Sequence, residues 1–408
     1  MPIFTSFDIL LPKAEYIEKW PVVACDQFTS QPEYWQKLKN IIGDAPSALN
    51  CILPEVELKG CTDDRYDKIR SSMVEYLEGE IFNEHKAAFV YVERTLLDGS
   101  IRPGIVGVID LEQYDYTPDA VSPIRATEKT VVERIPPRMA VRRGAAIELS
   151  HVLLLCDDEK CSIIEPMAEI KAQLQLAYQL ELMQGGGHIA AWLVQGEEAE
   201  TLQARIEEYC ERKRSEYAGS TPMLFAVGDG NHSLATAKAC YEELKAAGAD
   251  SDALARARYA MVELENIMDE SQKFEPIHRI INDCKVVSLL TYLGENCCAE
   301  DGYPVKWVSG VHEGLLYLDR SKGVLPIGIL QNVLDEYLKS YAGEIDYIHG
   351  EVSLRQLAAK PGSIGFVMDS VPKADFFRGI ANDGVLPRKT FSMGEAQEKR
   401  YYIESRKI

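Results

Sequence analysis

The sequence is short of positive charge: 44 Lys and Arg stand against 64 Asp and Glu, a formal net charge of −20. A field of that sign repels nucleic acid and anionic lipid unless a local basic patch overrides it, so neither DNA nor a membrane surface is an expected partner. No apolar run approaches the ~20 residues of a spanning helix. The opening Met1-Pro-Ile-Phe-Thr5 has neither the basic nor the apolar segment of a secretion signal, and the expectation is a cytoplasmic protein. The ten cysteines form no Cys-x-x-Cys. Cys156 and Cys161 come nearest, and no second pair follows at zinc spacing, so reduced, buried thiols are expected in place of a disulfide framework. Also missing are Gly-x-x-x-x-Gly-Lys followed by Ser or Thr, His-Glu-x-x-His and Gly-x-Ser-x-Gly, the signatures of P-loop, zincin and α/β-hydrolase chemistry.

Against that background residues 224–238, Leu-Phe-Ala-Val-Gly-Asp-Gly-Asn-His-Ser-Leu-Ala-Thr-Ala-Lys, stand out. Residues 224–227 suit a short buried strand, and Gly228 and Gly230 permit positive φ and close approach of a ligand to the backbone. Ser233 opens a helix in which Leu234, Ala237, Tyr241 and Leu244 share one face and Gly248 marks the end. Asp229, Asn231 and His232 therefore crowd a turn at a helix N-terminus, where free amides and the macrodipole favour a phosphate or carboxylate. A capped turn whose side chains only satisfy their own amides is the other reading.

At 408 residues the chain has room for two or three domains of roughly 100–200 residues each. Residues 1–120 are expected to form an α+β region, with strands near 3–11 and 21–26, helices over 31–42 and 63–80, and a hairpin of 88–94 with 103–111 about Asp98-Gly99. Residues 121–265 are expected to form the central core. There Pro136-Pro137 starts a helix over 138–147 that places Arg138 and Arg142 on one face. With Arg125, Lys129, Arg134 and Arg143 they make the best local anion site, the alternative being a solvated face paired with carboxylates. Strands at 150–156, 188–194 and 258–264, with helices over 166–183 and 198–217, argue for an α/β or α+β mixed-sheet core. Gly185-Gly186-Gly187 precedes a strand and is no dinucleotide fingerprint. Residues 266–408 are expected to form a second α+β region, with strands at 314–318 and 365–369 and a helix over 325–341. In it, His278-Arg279 follows Pro276 in a loop-like context and could reach the central site, a structural pair being the other reading; Lys373 and Pro387-Arg388-Lys389 are cationic loop positions that could close over an anion, the alternative being surface charge beside a turn.

Thr127-Glu128-Lys129-Thr130, the Arg-rich helix and Asp229-Gly-Asn-His-Ser233 together resemble the bacterial proteins grouped as domain of unknown function family 1015. That family's pattern runs Glu-x-Thr, a basic helix, then Asp-Gly-His-His-Arg entering a helix. Residues 21–26, 94–108 and 188–192, Glu275-Pro-Ile-His-Arg279 and Leu386-Pro-Arg-Lys389 match further segments, so the resemblance covers nearly the whole chain. The turn is also similar to that of the ParB and sulfiredoxin-like superfamily, which includes free-serine kinases with an upstream Glu as base.

This resemblance implies a ParB/sulfiredoxin-like mixed-sheet core and a nucleotide (ATP, ADP or CTP) with its phosphates on Gly230, Asn231 and Ser233. It implies Glu128 as base towards a hydroxyl of a small-molecule substrate, Asp229 acting through Mg²⁺, and His232 donating a hydrogen bond. Arg138, Arg142, His278, Arg279 and Lys389 would meet phosphate oxygens, since phosphoryl transfer needs mainly positioning and charge neutralisation. Asn231 and Ser233 stand where the family has His and Arg, which removes a bidentate clamp and leaves binding better supported than catalysis. The expected function is a Mg²⁺-dependent phosphotransferase acting on a small hydroxylated metabolite. A non-catalytic nucleotide sensor and a hydrolase with a metal on Asp229, His232 and His278 are the other two readings.

Overall fold

The computed structural model describes residues 2–58, 60–217, 221–387 and 389–408; Arg388, one of the expected cationic loop positions, lies outside them. Contacts divide the chain into two units. The first comprises Met1–Ala126, Thr130–Gln272 and Glu395–Ile408, and the second Thr127–Lys129 and Lys273–Gly394.

The first unit is built on a mixed sheet of 13 strands. Its longest members, Phe82–Thr95 and Ile101–Asp110, form the hairpin expected about Asp98-Gly99, with Val90 opposite Val106. Tyr259–Asn266 pairs antiparallel with Ile101–Asp110 and parallel with Leu153–Cys156. Phe225–Asp229 then lies between Leu153–Cys156, antiparallel, and Ile124–Ala126, parallel. The fold is a mixed α/β one, as the sequence leads one to expect. Alternate residues of the central strands feed two cores, since successive side chains point to opposite faces. Phe89 and Tyr91 join Leu202, Ile206, Leu234 and Tyr241 of the helices Glu197–Glu216 and Asn231–Ala246. Val90 and Val92 join Trp20, Trp35 and Tyr402 on the other side.

One expected helix is mostly a strand. In place of a helix over 166–183 the chain makes a short helix, Glu165–Ile170, and then the strand Gln175–Leu182, antiparallel to Gly187–Val194. Tyr178, Leu180 and Leu182 are buried while Gln179 and Glu181 are exposed, a period of two. The helical propensity of Ala, Gln, Leu and Glu is worth tenths of a kcal/mol per residue and yields to a partner strand. The three glycines accordingly lie at a hairpin turn and do not stop a helix. The Arg-bearing helix also runs earlier than expected, over Ile135–Arg142, and Ile147 starts a strand.

Strand pairing crosses the boundary expected near residue 120, and Ser405–Lys407 joins the same sheet between Phe7–Pro12 and Ile147–Leu149. The last fourteen residues are fixed by buried charge. The Arg400 guanidinium, almost wholly buried, meets Glu263 and Glu404 at 2.8 Å each, and Arg406 meets Glu148. Trp20 Nε1 donates to the Ile403 carbonyl at 2.9 Å. Removing one member of such a buried pair strands the other, at a cost of about 3–5 kcal/mol.

The second unit has a sheet ordered His312–Leu318, Cys298–Ser309, Ile364–Val367, Phe274–Asn282, Glu344–His349, with Phe391–Met393 added along Phe274–Asn282. The expected strands at 314–318 and 365–369 and the expected helix over 325–341 are present as His312–Leu318, Ile364–Val367 and Pro326–Ser340. Among the described residues no helix is long and apolar enough to cross a membrane.

Candidate functional site

The turn after Phe225–Asp229 is set by Gly230, at φ 78° and ψ 24°. A Cβ at that position would lie 3.0 Å from the Cα of Val152, so both the left-handed backbone and the space call for glycine. The helix begins at Asn231, two residues before the expected Ser233, and no side chain caps it. The first of its amides to find a partner is that of Leu234, on the Gly230 carbonyl at 3.0 Å. The amides of Asn231, His232 and Ser233 thus stand at the positive end of the helix dipole without capping oxygens.

Two acceptors at the turn are left over. Asp229 Oδ1 takes the Gly230 amide at 2.8 Å, but Asp229 Oδ2 and Asn231 Oδ1 are buried oxygens without a hydrogen bond. Lys399 Nζ stands 3.6 Å from Asp229 Oδ2, beyond hydrogen-bond length, so its attraction there is through charge. His232 Nε2 accepts the Val131 amide at 3.1 Å, which places the ring proton on Nδ1. Burial, then the positive charges of Arg138 and Arg134, push the imidazole down to about 4 against the pull of Asp26. His232 is therefore a neutral donor at pH 7.

Asp26 follows the short strand Val22–Val23. Burial alone would raise its carboxyl, but His151, Gln27, Lys399 and Arg138 outweigh that and hold it below the usual carboxylate range. His151 Nε2 is 3.9 Å from Asp26 Oδ2, and its Nδ1 is 2.6 Å from the Tyr402 hydroxyl. The adjacent Cys25 thiol is pushed up to about 12 by burial and by Asp26, which rules it out as a thiolate nucleophile.

The expected arginine cluster is largely dispersed into carboxylate pairs. Arg138 meets Glu55, Arg142 meets Glu148 at 2.6 Å, and Arg143 meets Glu243 at 2.8 Å. Arg125 is buried on the carbonyls of Ser122 and Thr221. Arg134 is exposed, and Lys129 is exposed in the second unit. Arg138 nevertheless lines a cavity of about 110 Å³ with Ser233 at the helix start and the apolar side chains of Ile52, Leu53, Met73 and Val141.

The other expected site residues lie in the second unit. The backbone of Glu128 bridges to Leu386, and its carboxylate accepts the Lys389 amide at 3.2 Å. Lys389 is exposed and has a φ of 58°. Arg279 has no exposed surface: it binds Gln331 and the carbonyls of Ile277 and Lys389, and lies over the Tyr347 ring. Its guanidinium is a structural clamp, so the expected phosphate contact is corrected for this residue. Among the described residues no three His, Cys, Asp or Glu side chains are placed to hold a metal ion.

Residues 6–342 match the model of a family described as Protein of unknown function (DUF1015). The chain belongs to that family. No curated protein matches this DUF1015 chain. Among solved structures it is similar to a mutant free serine kinase in complex with ADP, at 12% identity over 72% of this chain and 90% of that one, with a TM-score of 0.39. It is similar also to a conserved hypothetical protein from Pyrococcus furiosus, at 12% identity, 74% and 94% coverage and a TM-score of 0.34. The third is SbnI with a C-terminal truncation from Staphylococcus aureus, at 9% identity, 71% and 82% coverage and a TM-score of 0.35.

Three residues of the DUF1015 turn site escaped the sequence reading: Lys399, His151 and Tyr402. Lys399 and Tyr402 come from the C-terminal segment, which has no helical or strand period long enough to read. Its one signal is composition, with Glu395, Glu398, Lys399, Arg400, Glu404 and Arg406 packed around Tyr401-Tyr402.

Proposed function

We propose that this protein binds a nucleotide in its first unit, with the phosphates on the start of the Asn231–Ala246 helix. The carrying observation is the uncapped helix end, opened by left-handed Gly230 and adjoining a cavity in which apolar side chains stand beside Arg138, Ser233 and the ion-paired Glu55 and Glu148. Phosphate oxygens accept from the amides of Asn231, His232 and Ser233, from the Ser233 hydroxyl and from His232 Nδ1–H. The apolar side chains of the cavity, Ile52, Leu53, Met73 and Val141, offer a surface for the base. Arg138 exchanges Glu55 for phosphate, and Lys399 adds a second cation.

The leftover oxygens of Asp229 and Asn231 suit a hard cation such as Mg²⁺, which typically takes one or two protein oxygens and completes its shell with water and phosphate. Bound there, it would supply neutralisation of phosphate charge. The finer reading is phosphoryl transfer to a small hydroxylated metabolite. Its support is the motif resemblance, on which Glu128 is the proposed base and ATP, ADP or CTP the nucleotide. A nucleotide sensor without turnover is favoured by Ser233 in place of the family's Arg.

The test is calorimetric titration of wild type and His232→Ala with ATP, ADP and CTP in the presence of Mg²⁺. Wild type is expected to bind, and the variant to lose about tenfold or more in affinity, the value of one hydrogen bond to a charged group. Equal affinity in the two proteins, or no binding to either, overturns the reading. Turnover that disappears in Glu128→Gln supports the transferase; binding without turnover supports the sensor.

A further inference from the structure

The second unit holds an open cleft of about 480 Å³ that nucleotide binding in the first unit does not use. Its walls carry Glu275, His278, His349, Glu351, Asp369 and Ser370. Three carboxylates, Glu275, Glu351 and Asp369, line this space. Glu351 is shared with Arg355 at 2.8 Å, while Glu275 and Asp369 make no ion pair and no side-chain hydrogen bond among the described residues.

Of the other polar groups in the wall, His349 and Ser370 are exposed and His278 is buried. His278 is only 3% exposed, and its Nδ1 accepts the Met368 amide at 3.1 Å. That bond puts the ring proton on Nε2, which has no hydrogen-bond partner among the described residues. Burial lowers the His278 titration, with Arg279 and His349 adding to the effect and Glu351 and Asp369 opposing it, so the ring is neutral at pH 7. This N–H has no protein acceptor among the described residues, and a ligand oxygen entering the cleft can take the place of solvent on it.

The cleft therefore presents negative charge on its rim and a buried neutral donor in its wall, and a phosphate entering it meets three carboxylates. We propose that it binds a small organic cation, a protonated amine with a neighbouring hydroxyl: the ammonium lies among Asp369, Glu275 and Glu351, and the oxygen accepts from His278 Nε2–H. Rim carboxylates are individually weak because water screens them, and selectivity comes from meeting both demands with one molecule. This assignment stands apart from the nucleotide reading and survives its failure.

Ethanolamine is the probe and ethylene glycol its uncharged counterpart, each titrated at low salt into the full chain and followed by NMR shifts. Wild type is expected to bind ethanolamine saturably with a Kd of about 1 mM, and Asp369→Asn/Glu275→Gln to weaken it about tenfold or more. Both substituted residues are exposed, and a melting curve matching wild type shows that the variant is folded. Ethylene glycol binding as tightly as ethanolamine, unchanged affinity in the double variant, or no saturation by about 100 mM overturns the assignment.

Discussion

His232 and His278 make the same bond in different company. Each accepts a backbone amide on one ring nitrogen, from Val131 in the first case and Met368 in the second, and each is driven neutral by burial. His232 has Arg138 and Arg134 as charged neighbours and stands at an open helix start. His278 lines a cleft with Glu275, Glu351 and Asp369. A neutral imidazole N–H carries no sign of its own, so its surroundings decide which charge it would serve: on the two proposals above, an anion at the turn and a cation in the cleft.

The largest expected effect breaks the turn itself. Gly230→Ala forces a left-handed alanine against the Val152 backbone and is expected to cost about 2 kcal/mol or more, measured by denaturant unfolding, with loss of nucleotide binding. Gly248→Ala, beyond the other end of the same helix, has φ +67° and open space, so it should cost only about 1 kcal/mol and leave binding intact. Equal costs would show that the contact with Val152 adds nothing.

A smaller effect separates the two histidines. His278→Ala should leave nucleotide affinity unchanged while His232→Ala reduces it, and a shared loss would dissolve the contrast. Acid gives a weaker signature. The His232 value of about 4 lies below its ordinary 6.5, so between those pH values the unfolded chain takes up a proton that the folded chain refuses. Stability should fall as pH drops through that window, and His232→Gln should flatten the fall. The ring is partly exposed, which keeps the change small. Smallest of all, Arg134→Gln should raise the His232 titration seen by NMR, by an amount that salt reduces because Arg134 is exposed.

What could be read from the residues was local. The strand, turn and helix at 224–246 and the hairpin about Asp98-Gly99 announce themselves through glycine and short apolar runs, and both are present. The strand Gln175–Leu182 was hidden because its composition favours a helix and its partner strand prevails. The arginine cluster was visible as charge, but of its partners only Glu148 is near in sequence; Glu55 and Glu243 lie 83 and 100 residues away, and no local pattern points to them. Lys399 reaches Asp229 only because residues 395–408 return to the first sheet, and no local pattern encodes that return.

That return also orders events in time. Residues 273–394 leave the ribosome before residues 395–408, so a nascent chain has the whole sequence of the second unit in hand while the first still lacks Arg400, Tyr402, Glu404 and Arg406. Until those side chains arrive, Glu263 and Glu148 have no buried guanidinium from this segment to answer them, and Asp229 has no Lys399. The turn is thus completed as an electrostatic site only once residues 395–408 have been made, and a chain stalled at residue 394 would carry the helix start without its lysine.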